Sequence, residues 1–226
     1  MRAAGAVVAL CLLLAGCTTA TAADPVPSPG VDLSTWDPEA DNGLALVPGT
    51  TARAAILDAM RTAGPVVMTG TLTDAAGVTT HVRVAGDRAT YDALIDVGGA
   101  QTRIQFVSGD TFVQPSATIA AEYGLPADTA TCVPADAPVL DRWAELLHPA
   151  SFVARLTADA SGVGAPHDGV VDLVLGTEAT EGALVVAATG APLPQSLVRA
   201  DPAGSVILEF ADWGVPVDVA APGEGC

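Results

Sequence analysis

Ala89-Thr90-Tyr91-Asp92-Ala93-Leu94-Ile95-Asp96-Val97 sets Ala89, Tyr91, Ala93, Ile95 and Val97 on one side of an extended chain and Thr90, Asp92 and Asp96 on the other. Alternation of this length is the period of a half-buried strand and not of a helix. Gly98-Gly99 follows, a dipeptide suited to a tight hairpin. The neighbouring runs repeat the pattern. Val66, Met68 and Leu72 alternate with Val67, Thr69 and Thr71. After Ala76-Gly77, the run Val78 to Val84 places Val82 and Val84 on one face and leaves His81 facing solvent. Ile104 and Phe106 face in while Arg103 and Gln105 face out, and Ser108-Gly109-Asp110 leads into Thr111 to Gln114. These runs read as an antiparallel meander with one apolar face and one wet face.

Helical spacing flanks the meander. Thr50-Thr51 are candidate N-caps for a helix reaching Ala63, with Ala52, Ile56, Ala59 and Met60 on one face, and Gly64-Pro65 ends it. Pro115 to Pro138 reads as loop, with a helical turn near Ile119 to Tyr123. Leu140, Trp143, Leu146 and Leu147 predict a helix over Ala137 to His148. Phe152, Val153 and Leu156 predict a second over Pro149 to Ala160, with Pro149 in its first turn. A protonated His148 would then sit well at the C-terminal end of the first of these helices. Strands resume at Val170 to Leu175, Ala183 to Ala188, Gln195 to Arg199 and Ser205 to Phe210. A helix, then strands, then helices, then strands argues for an α+β fold: one curved antiparallel sheet covered on its apolar face by helices.

The start of the chain has a different character. Arg2 precedes an uninterrupted apolar run from Ala3 to Ala15, and Leu14-Ala15-Gly16-Cys17 closes it. The run is too short to span a bilayer, which takes about 20 apolar residues, and its layout is that of a secretory leader. The tetrad resembles the lipobox of bacterial lipoproteins, which implies acylation of Cys17 and cleavage just before it. Residues 1–16 are thus expected to be a lipoprotein signal peptide. Residues 17–48, with Pro25, Pro27 and Pro29 alternating, are expected to be a flexible tether, and residues 49–226 the folded domain. Trp36 either docks on that domain or stays exposed. Asp37 to Gly43 superficially matches a calcium loop but carries Pro48 where a bidentate Glu belongs.

Charge narrows the partners. The 9 basic residues are all Arg and face 26 acidic ones, a formal net charge of −17. Such a surface repels phosphate backbones and anionic headgroups, which argues against a nucleic-acid partner and leaves membrane contact to a covalent anchor. Half of the residues are apolar, enough for a packed core without a metal or a disulfide framework.

The closing run Val206-Ile207-Leu208-Glu209-Phe210-Ala211-Asp212-Trp213-Gly214-Val215-Pro216-Val217-Asp218-Val219-Ala220-Ala221-Pro222 resembles the last strand of the LppX/LprA/LprF/LprG lipoproteins of actinobacteria. The order of elements over about residues 50 to 222 is also similar, with Gly70 inside the first strand. The resemblance implies a LolA-like half-barrel wrapped around helices, with an apolar cavity that holds a lipid or lipoglycan for transfer within the cell envelope. Val66, Met68, Leu72, Val82, Val84, Tyr91, Ile95, Ile104 and Phe106 would line that cavity, with Ala93 as a small inward position. Leu147, Phe152 and Leu156 would form its lid. The implied protein is a monomer anchored to the membrane through acylated Cys17 on the extracytoplasmic face, with an envelope transporter as a candidate partner. This inner face is poorer in aromatic residues and richer in Ala and Gly than the family pattern, and Tyr123 to Pro138 is longer and richer in Pro. The same inward residues equally describe a closed core, so a scaffold or interaction lipoprotein of the same fold stays open.

No catalytic pattern is present. His81, His148 and His167 lack metal-ligand spacing, and there is no nucleophile elbow, P-loop or dinucleotide fingerprint. An envelope enzyme whose site is assembled from distant residues is the third class, and no catalytic residue, metal or cofactor is assigned. With Cys11 lost in the leader and Cys17 acylated, Cys132 and Cys226 remain, and in an oxidising compartment they are expected to pair.

Overall fold

The computed structural model describes residues 37, 40–177 and 180–223. Helix α1 (Gly49–Ala63) leads into five strands, β1 (Val66–Asp74), β2 (Thr79–Gly86), β3 (Tyr91–Val97), β4 (Ala100–Val107) and β5 (Asp110–Gln114). Helix α2 (Ala117–Tyr123), strand β6 (Thr131–Val133) and helices α3 (Pro138–Asp141) and α4 (Pro149–Leu156) follow. The chain ends in β7 (Ala160–Val163), β8 (Val170–Leu175), β9 (Glu181–Ala187), β10 (Pro194–Asp201) and β11 (Gly204–Ala211). The 11 strands form one sheet in the order β6-β5-β4-β3-β2-β1-β11-β10-β9-β8-β7, every neighbour antiparallel.

The expected α+β class and single antiparallel sheet are therefore present. The sheet is open, with β6 and β7 as its edges. Laid flat it would be about 50 Å wide at the usual strand spacing. Val113 of β5 and Leu173 of β8 nevertheless belong to one buried cluster with α1 and α4, so the sheet curls around its helices. Positive φ values at Gly98 and Gly99 (60° and 87°) fit the hairpin that the sequence predicted between β3 and β4.

Most strand boundaries fall where the alternation placed them; the helices differ more. Pro48, not Thr50 or Thr51, is the N-cap of α1, and its carbonyl accepts from Thr51 and Ala52 N–H at 2.9 Å. Gly49, the first residue of the helix, lies against Gly162 of β7, where a Cβ would stand 2.7 Å from the Gly162 nitrogen. The predicted helix over 137–148 shortens to the single turn of α3. Beyond it the backbone bonds are mixed: Trp143 N–H reaches the Leu140 carbonyl and Leu147 N–H the Trp143 carbonyl. These turns bury Trp143, Leu146 and Leu147 together. Pro149 then forces His148 out of helical backbone, to φ −125° and ψ 85°. Helix α4 stops at Leu156 instead of Ala160, because Thr157 Oγ1 turns back onto the Val153 carbonyl and Ala160 pairs with Leu175 as an edge strand.

Two further differences concern the ends of segments. Part of the expected tether is docked: Asn42 Nδ2 donates to the Ala187 carbonyl at 2.8 Å, and Leu44 is buried in the core. Ala89, expected on the inner face, is exposed in the turn before β3. Cys17, Trp36 and Cys226 lie outside the described residues.

Candidate apolar binding site

The sheet's inner face gathers the residues that the sequence assigned to a lipid cavity. Val66, Met68, Val82, Val84, Tyr91, Ala93, Ile95, Ile104, Leu147, Phe152 and Leu156 are buried in one cluster, with Leu72 and Phe106 half-buried against it. Strand register explains the grouping, since Met68 stands opposite Val84, Val84 opposite Ala93, and Ala93 opposite Ile104. Met68, Val84, Ala93, Ile95 and Ile104 are 0% exposed. They fill one another's space as core and do not wall an open chamber.

Among the described residues, two pockets lie at opposite ends of this core. The larger pocket, about 350 Å³, sits where the end of α1, the β2–β3 turn and the start of α4 converge. Met60, Val66, Ala89, Leu147, Pro149, Ala150 and Trp213 supply its apolar lining, and Arg61, Asp87, Arg88, His148 and Ser151 its polar part. The smaller one, about 260 Å³, lies at the other end of β1 and includes Leu72, Leu156, Arg155 and Arg199. Of the residues expected to line a cavity, Val66 and Leu147 reach the larger pocket and Leu72 and Leu156 the smaller.

Local structure fixes the larger pocket. Asp87 Oδ1 accepts from Ala89 and Thr90 N–H at 2.8 and 3.0 Å, which shapes the turn carrying Arg88. Trp213 stacks on Phe210 with ring centroids 6.2 Å apart and donates its Nε1–H to the Pro194 carbonyl at 2.9 Å. Tyr91 stacks on Phe106 at 5.7 Å and meets His148 edge-on at 6.3 Å.

His148 departs from its expected role. It caps the N-terminus of α4, the positive end of the helix, instead of completing a C-terminus. Burial, with a smaller contribution from Arg88, holds its pKa below the ordinary imidazole value. The ring is therefore neutral near pH 7. Its Nδ1 is buried without a hydrogen-bond partner among the described residues.

The smaller pocket is more tightly braced. Arg199 Nη1 donates to Asp159 Oδ1 at 2.7 Å and to the Leu156 carbonyl at 2.6 Å, and Arg199 Nε to Asp201 Oδ2 at 3.2 Å. This guanidinium ties β10 to the end of α4. No group of three or more His, Cys, Asp and Glu among the described residues could hold a metal ion. No described helix is long and apolar enough to cross a membrane.

Arg61, Arg88, His148 and Trp213 were not singled out by sequence as binding residues. They come from separate turns and helix ends, and only Gly64-Pro65 and His148-Pro149, both read as helix breaks, mark where the pocket forms.

Neither a family model nor a curated protein matches the chain. Among solved structures it is similar to LprF from Mycobacterium bovis, at 13% identity over 78% of this chain and 99% of that one, with a TM-score of 0.45. It is also similar to lipoprotein LppX from Mycobacterium tuberculosis, at 13% identity over 80% of this chain and 100% of that one, with a TM-score of 0.42.

Proposed function

We propose that the protein is a membrane-anchored extracytoplasmic lipoprotein that binds a lipid or lipoglycan through its acyl part and helps to transfer it within the cell envelope. The observation that carries this reading is the pocket of about 350 Å³ at the rim of the core, apolar along Met60, Val66, Leu147 and Trp213 and polar at Arg88 and His148. An apolar hollow with a few convergent polar groups is the usual form of a small-molecule site. Its two characters match those of an amphiphile. The anchor in this reading is acylated Cys17, which supplies the membrane affinity that a chain of net charge −17 lacks.

The second reading, a scaffold lipoprotein with a closed core, is favoured by the complete burial of Met68, Val84, Ala93, Ile95 and Ile104. One experiment separates the two. The chain is purified natively, extracted with organic solvent, and the extract examined by mass spectrometry, which leaves the covalent acyl groups on Cys17 behind. Stoichiometric acylated lipid in the extract is the expected result. An empty extract makes the scaffold the better account.

A further inference from the structure

We propose that the pocket between the β2–β3 turn and the start of α4 takes a single-chain anionic amphiphile, its tail against Met60, Val66 and Trp213 and its acidic head against Arg88. This rests on the lipid-binding reading and specifies its ligand.

Size comes first. A volume of about 350 Å³ is at the lower end of small-molecule sites, which run roughly 300–1,000 Å³. The core offers no extension, since Met68 and Phe152 are 0% and 1% exposed. One chain end fits the space better than the paired chains of a diacyl lipid.

Charge selects the head. The protein as a whole has a net charge of −17, yet this pocket is lined by Arg61 and Arg88 against the single acid Asp87. Asp87 already accepts two backbone N–H groups through Oδ1, and Arg61 is paired with Asp58 at 3.7 Å. Arg88 is exposed and makes no ion pair among the described residues. Its planar fork of donors is thus free to hold a carboxylate or phosphate in two parallel hydrogen bonds. His148 lines the same pocket and carries no charge that would compete with Arg88 for the head.

The test uses the full chain in phosphatidylcholine vesicles and two photoactivatable probes of equal chain length, a dodecanoate and a dodecanol. The dodecanoate is expected to label peptides containing Met60 and Leu147 to Ser151. Arg88→Glu and Arg88→Gln should each reduce that labelling about tenfold or more, the loss expected when a charge-assisted hydrogen bond is removed. Arg83→Glu makes the same charge change on β2 outside the pocket and should leave labelling as it is. Melting curves establish that the variants are folded. Equal labelling by dodecanol, or undiminished labelling of both Arg88 variants, overturns the choice of head and leaves the lipid-binding reading standing. No labelling of these peptides by either probe overturns both.

Discussion

Gly70 of β1 and Leu208 of β11 face each other across the seam joining the two meanders, with no room between them for a methyl group. A Cβ on Gly70 would stand 2.8 Å from Leu208 Cδ2, and nearer still to the Ile207 carbonyl oxygen. A glycine inside a strand marks a close approach or a sharp bend of the sheet. Here it sits at the pairing, β1 with β11, that links the first strands to the last. Gly70→Ala is expected to destabilise the domain by about 1–3 kcal/mol, the usual range for overpacking a filled core. Urea unfolding measures it, and a midpoint equal to that of the native chain would show that the seam relaxes freely.

The His148 imidazole makes stability depend on pH. Burial first, and Arg88 second, lower its folded pKa below the ordinary 6.5. Below 6.5 the unfolded chain therefore binds more protons than the folded one, so stability rises with pH across that window. The contribution is complete above 6.5 and is lost as pH falls from there toward the folded value. The melting temperature is expected to fall on acidification through this interval, with a shallower fall in His148→Asn. Parallel curves for the two proteins would remove His148 from the account. Asp201 acts in a separate, more acidic window, because its carboxyl is held low chiefly by the Ala203 N–H at 2.8 Å and also by Arg199.

Cys17→Ser is expected to leave the chain uncleaved or soluble, since the acyl chains are the proposed source of membrane affinity. Fractionation followed by a high-salt wash measures this. A variant that is cleaved normally and stays with the membrane through the wash would exclude Cys17 as the anchor.

Cys132 lies in β6 opposite Phe112, and we propose that it forms a disulfide. Cys226 is the expected partner, a pairing proposed from the sequence. Non-reducing peptide mapping should recover Cys132 and Cys226 in one linked peptide. Closing a loop of 94 residues (226 − 132) would contribute on the order of 4–5 kcal/mol on the chain-entropy model. Alkylation of Cys132 in the native fold would end this pairing.

The sheet was legible in the sequence because alternation and hairpin glycines are local signals. Tyr91, Ala93 and Ile95 declare a buried face within one strand, and Gly98-Gly99 supplies the turn. Strands β6 and β7 were not legible. Thr131-Cys132-Val133 is too short for a pattern, and Ala160-Ser161-Gly162-Val163 contains a glycine that reads as a break. Both exist because a neighbouring strand offers them hydrogen bonds. The helix misread over 137–148 has another cause: Leu140, Trp143, Leu146 and Leu147 face inward equally well from an α-helix or from successive tight turns. The inner-face residues were identified by period, but period does not distinguish a wall from a filling. Arg88, His148 and Trp213 share a pocket only after the sheet has curled.

The place of β1 at the middle of the sheet also bears on how the chain reaches its fold. Strands β1 to β5 are joined in sequence by short turns and can zip up locally, as can β8 to β11. The seam is different, for Val67 pairs with Ala211, 144 residues later (211 − 67). Contacts of such separation form late, because a long loop must close before they are rewarded. A chain emerging N-terminus first would carry a nearly complete meander whose last-built edge partner had yet to arrive. Until β11 docks, the whole edge of β1 would be an unpaired template open to the wrong strand.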